Sequence, residues 1–100
     1  MSFVTVQPDK LSAAASNLAS ITAALNVGNA AAAIGTTGVV PAAADEVSVL
    51  TAAQFAAHAV RFQALVARAL AVHELLAATL AQSAGTYAAT EAANDAASAL

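Results

Sequence analysis

A chain of 100 residues with 60% hydrophobic content, 9% charge and no cysteine suits one small domain with no disulfide or thiolate-metal staple. Alanine supplies most of the apolar count and aromatics only 4%, so any helices carry sticky faces over a shallow core, because an alanine methyl returns little on burial beside Leu or Phe. The net charge of −3, with Lys10, Arg61 and Arg68 as fixed cations, leaves no basic stripe for a phosphate backbone and argues against a nucleic-acid partner.

In chain order, MSFVTVQPDK lacks a cationic segment followed by an apolar one, so no Sec-type signal peptide is expected and any export needs another signal. Pro8 suits the first position of a helix, and Asp9 beside it suits the positive end of the helix dipole. The first helix is predicted over residues 8–34, with Leu11, Leu18 and Leu25 as a heptad stripe and Ala14 and Ile21 between them. Ser16, Asn17, Ser20, Asn26 and Asn29 lie mostly off that stripe. The run from Leu11 to Ala44 is uncharged, which raises a transmembrane reading, but its serines, asparagines and glycines dilute it.

Gly35, Thr36, Thr37, Gly38, Val39, Val40 and Pro41 predict a loop over residues 35–41. A second helix over about residues 42–83 begins with either Pro41 at its first position or Asp45 as its cap, and the sequence does not choose. On a helical wheel Val47, Phe55, Phe62, Leu65, Val66, Leu70, Val72, Leu76 and Leu80 fill an arc of roughly 160°, wider than one antiparallel neighbour covers. The first helix covers part of this arc; the other neighbour is missing from the sequence. Arg61 and Arg68 lie at one edge of the arc, and Gln63 and Glu74 near the other, as on a solvated rim, while Leu50 and Leu75 fall outside it. The charges and histidines of this segment argue that it does not span a membrane. Ser83, Ala84 and Gly85 are expected to interrupt the helix, leaving residues 85–100 as a mobile or loosely helical tail.

No reactive constellation emerges. His58 and His73 stand about 22 Å apart on one helix and cannot share a metal, and their place in the apolar arc reads as packing at a helix interface. No hydroxyl has a base at a recognisable spacing and no glycine-rich phosphate loop is present, so neither catalytic, metal nor cofactor residues are assigned. Tyr87 and Glu91, four residues apart, share one side of a helical tail.

Three stretches together resemble the mycobacterial PE family: MSFVTVQPDKL at the start, TTGVVPAAADEVSVLTAAQFAAHA in the middle and VHELLAATLAQSAGTYAATEAAN near the end. The family's Pro-Glu pair corresponds here to Pro8 and Asp9, an acid-for-acid change. The resemblance implies an all-α fold, an antiparallel two-helix hairpin over residues 1–84 that completes a four-helix bundle with a PPE-family protein as a 1:1 heterodimer. It implies export by a type VII secretion system to the cell surface or medium, with Tyr87 and Glu91 matching the family's Y-x-x-x-D/E signal and chaperones acting mainly through the partner. Leu11, Leu18, Ile21, Leu25, Phe55, Phe62, Leu65, Val66, Leu76 and Leu80 are the expected partner-interface residues. A membrane-associated or pore-forming envelope component is the competing expectation.

Overall fold

A computed structural model describes residues 5–100 as two α-helices, α1 (Pro8–Thr37) and α2 (Glu46–Ser98), with no strand among the described residues. Met1 to Val4, the first part of the MSFVTVQPDKL stretch, lie outside the described residues. The chain divides into two compact units, one of residues 5–21 with His73–Leu100, the other Thr22–Val72, so each unit combines a piece of α1 with a piece of α2.

The ends of the helices follow from local chemistry. Pro8 occupies the first position of α1 with Asp9 in its first turn, and the Lys10 amide donates to the Gln7 carbonyl at 3.0 Å. The helix continues three residues beyond Ile34 because Gly35 keeps a helical backbone and the threonines after it serve the last turn. The Thr36 hydroxyl donates to the Ala32 carbonyl at 2.7 Å and the Thr37 hydroxyl to the Ala33 carbonyl at 2.6 Å. At Gly38 the backbone closes on itself: its amide donates to the Ile34 carbonyl at 3.1 Å, and a β-carbon there would lie 3.0 Å from that same oxygen. A β-carbon at this point would press on the helix end unless the backbone gave by a few tenths of an ångström.

Asp45, not Pro41, caps α2. Its carboxylate accepts the Ser48 amide at 2.9 Å and the Ser48 hydroxyl at 2.8 Å, while its own carbonyl accepts the Val49 amide at 3.1 Å. The Ser48 amide, and secondarily its hydroxyl, hold the Asp45 carboxyl below its ordinary value of 3.8. Because the folded form holds the proton less tightly than the unfolded one, this cap stabilises fully above that value and is lost as pH falls through the lowered one. Asp45→Ala is therefore expected to speed hydrogen exchange at the Ser48 amide near neutrality, and the difference from the native chain should shrink in acid below pH 3.8.

The interruption expected at Ser83, Ala84 and Gly85 does not occur: α2 passes through them and ends at Ser98. Gly85 has a helical backbone, and one glycine costs only about 1 kcal/mol in a helix otherwise rich in alanine. Thr86, Thr90 and Ser98 return their hydroxyls to the carbonyls of Gln82, Thr86 and Asn94, so the polar tail residues do not open the backbone.

Within Thr22–Val72 the chain folds back as a helical hairpin: the Gln63 amide of α2 donates to the Asn29 carbonyl of α1 at 3.4 Å, and later residues of α1 lie beside earlier residues of α2. The two helical segments are antiparallel in this unit. Ala52, Ala59 and Thr22 are buried here, and Ala15 and Ala84 in the other unit, while no large side chain is fully buried among the described residues. Small residues allow close helix approach but bury little apolar area each.

The covered residues of α2 include Ser48, Ala52, Ala56, Ala59, Gln63, Val66 and Leu70 in one unit and His73, Ala77, Leu80 and Ala84 in the other, spaced by threes and fours, with Ala57, Ser83 and Glu91 also half-buried. That is a heptad seam. On α1 the corresponding residues are Leu11, Ala15 and Leu18, then Thr22 and Asn29. Ala15 and Thr22 thus occupy the places expected for Ala14 and Ile21, and Ile21 is 58% exposed. A leucine repeated every seven residues has a flank on either side, and the hairpin uses the smaller one. Gln63 also differs from expectation: it is half-buried in the seam and not on a solvated rim.

Candidate partner-binding face

The residues that α2 leaves uncovered have their own order. Phe55, His58, Phe62, Leu65, Ala69 and Val72 recur at threes and fours, and Leu76 in the other unit continues the same spacing. This second stripe is displaced by about 110° around the helix from the hairpin seam. In this structure the second seam is open: Phe55 is 63% exposed, Leu65 63% and Phe62 48%.

Near the turn, the stripe borders a notch of about 290 Å³. Phe55, His58 and Phe62 of α2 form one wall, and Ala32, Gly35 and Thr36 of α1 form much of the rest. Nothing lies within 4 Å of where a Gly35 β-carbon would stand, so the hollow there is open space. The contribution of Ala32 and Gly35 was not anticipated from the sequence. Two alanine-sized residues carry no hydropathy signal of their own, and only the neighbouring phenylalanines make their size matter.

The expected interface residues divide by burial. Ile21, Leu25, Phe55, Phe62, Leu65 and Leu76 are exposed, whereas Leu11, Leu18, Val66 and Leu80 are half-buried and belong to the seam positions. The histidines also divide, with His58 exposed beside the notch and His73 half-buried, its Nδ1 buried with no hydrogen-bond partner among the described residues. The Asn29 side-chain amide nitrogen is in the same condition. Among the described residues no group of three His, Cys, Asp or Glu side chains comes together as a metal site.

Tyr87 and Glu91 fall in the register of the α2 hairpin seam, the next places after Leu80 and Ala84. Tyr87 is exposed and Glu91 half-buried. The continuous helix puts both on one side, one turn apart.

The sequence profile of the PE family matches residues 4–94. The chain belongs to the PE family. It is 62% identical to the PE family protein PE13 of Mycobacterium tuberculosis over 97 residues, which is 97% of this chain and 98% of PE13. It is also similar to PE8 of the same species, at 48% identity over 99% of this chain but 36% of PE8. A third relative, named esterase PE16, is 52% identical over 94% of this chain, a stretch that makes up 18% of PE16. This PE protein therefore spans nearly the whole of one relative and a minor part of the other two.

By length and composition alone, both helices are apolar enough to cross a membrane. The sequence argument excluded the second helix on its charges, but an 18-residue window of α2 has a mean hydropathy of 1.6 with no more than two charged residues. Alanine raises hydropathy without requiring that the charges be far away.

Proposed function

We propose that this PE protein is a non-catalytic interaction module that forms a 1:1 heterodimer with a PPE-family protein and leaves the cell through a type VII secretion system. The observation that carries this reading is the open second seam: a heptad stripe on α2 in which Phe55, Phe62 and Leu65 are exposed, with no neighbour among the described residues. A PPE helix pair laid on Phe55, Phe62 and Leu65, with Leu25 contributing from α1, turns the hairpin into a four-helix bundle. Leu11, Leu18, Val66 and Leu80 then hold the hairpin that presents this face. Co-expression with PPE proteins, followed by purification and native mass spectrometry, tests the proposal; a 1:1 complex supports it, and failure of every PPE protein to bind rejects it.

Tyr87 and Glu91 are the proposed export signal, supported by their Y-x-x-x-E spacing and their common side of α2. Tyr87→Ala or Glu91→Ala is expected to leave the heterodimer intact and abolish its appearance in culture filtrate. Normal filtrate levels of both variants would remove this role.

The apolar length of both helices favours a second reading, association with an envelope membrane. Liposome flotation of the purified heterodimer separates the two: a complex that stays with the lipid fraction in high salt favours the membrane, and one that remains at the bottom of the gradient favours the soluble bundle.

A further inference from the structure

The second seam is bordered by two arginines whose charge nothing nearby on α2 balances. Arg61 and Arg68 are exposed and seven residues apart, so they share one helical position, two turns apart along the axis, beside the stripe of His58, Leu65 and Val72. On a surface helix an acid three or four residues from an arginine lies close enough to balance its charge. Here the residues at those distances are Ala57, His58, Ala64, Leu65, Ala71 and Val72, and the stretch from Val47 to His73 contains no carboxylate at all. The part of α1 in the same unit, from Thr22 to Thr37, has no ionisable side chain, and of the acids Asp45 and Glu46 at the turn the first already receives Ser48. The two arginines thus stand at the rim of the apolar face with no carboxylate within a helical turn of either on α2.

Resting on the heterodimer reading, we propose that the partner helix seated on Phe55, Phe62 and Leu65 carries two carboxylates seven residues apart that pair with Arg61 and Arg68. A bulky apolar side chain of that helix enters the notch between Phe55 and Phe62 over Gly35. The apolar stripe supplies adhesion, but a face repeating every seven residues also fits a partner shifted by a heptad; the arginines fix register and select the partner. Their guanidinium groups suit this task because they remain charged at every pH the complex meets.

The test uses the heterodimer obtained by co-expression. Its dissociation constant is measured at low and high salt for the native chain, for Arg61→Glu with Arg68→Glu, and for Arg61→Lys with Arg68→Lys. Charge reversal is expected to weaken binding about 10- to 30-fold at low salt and much less at high salt, while the lysine variant stays within about threefold of native. Reversing two partner carboxylates to lysine should restore binding to the double glutamate variant. A native complex whose affinity and salt dependence survive the arginine reversal overturns this inference alone; a native chain that binds no PPE protein overturns the heterodimer reading and the inference with it.

Discussion

Expressed without a partner, the chain is expected to give a broad, weakly cooperative thermal transition, to bind an apolar dye and to self-associate as its concentration rises. With a PPE protein the same helices should melt in one sharp step at a higher temperature. The reason is the kind of surface that folding hides. The buried residues are Ala15, Thr22, Ala52, Ala59 and Ala84, and none of the larger side chains among the described residues is fully buried. Burying a Leu or Phe is worth roughly 1.5 to 3 kcal/mol, and an alanine methyl well under that. The conformational entropy of ordering each residue is about the same in either case. Helix propensity favours α1 and α2 locally but does not produce a cooperative fold. Circular dichroism melts of the lone chain and the complex, at equal concentration, decide the matter. A lone chain that is monodisperse and melts cooperatively would defeat the idea that its second seam waits for a neighbour.

Phe55→Ala and Phe62→Ala are expected to leave the helicity of the lone chain unchanged and to weaken heterodimer formation strongly. Both rings are substantially exposed in the hairpin, at 63% and 48%, so little of their apolar area supports the chain itself. If the partner covers them fully, each truncation removes about 2 to 4 kcal/mol of association free energy, roughly 30- to 1,000-fold in affinity. The two changes should be less than additive, because both rings border one notch and its collapse after the first substitution alters the cost of the second. Ala59→Leu offers the opposite signature: Ala59 is buried in the hairpin seam, so a larger side chain should disturb the helix pair itself. Titration calorimetry or competition binding for the phenylalanine variants, beside helicity of the lone chain, separates a binding face from a folding core. Native affinity in both phenylalanine variants would remove them from the interface.

Much of this was legible in the residues. Pro8 and Asp9 mark the start of α1, and the leucines at 11, 18 and 25 give its period. The exposed members of the expected interface, Phe55, Phe62, Leu65 and Leu76, fall on one heptad stripe because helical spacing converts directly into a face. Where the sequence was ambiguous, the competing signals were nearly equal in energy. Pro41 and Asp45 are both good helix starts, and only the geometry of Ser48 against the Asp45 carboxylate selects the latter. Gly85 reads as a breaker, yet the surrounding alanines and the hydroxyls of Thr86 and Thr90 keep α2 helical to Ser98.

The sequence by itself determined the all-helical class and the apolar period of each helix, because these follow from residue type and spacing within single helices. Only the tertiary structure decided that Ala15 and Thr22, and not Ala14 and Ile21, take the hairpin seam, that Gln63 reaches the Asn29 carbonyl, and that Gly35 opens a notch beside Phe55 and Phe62. Those choices depend on how closely two helices approach. That distance is set jointly by small side chains on both, a property that no single stretch of chain contains.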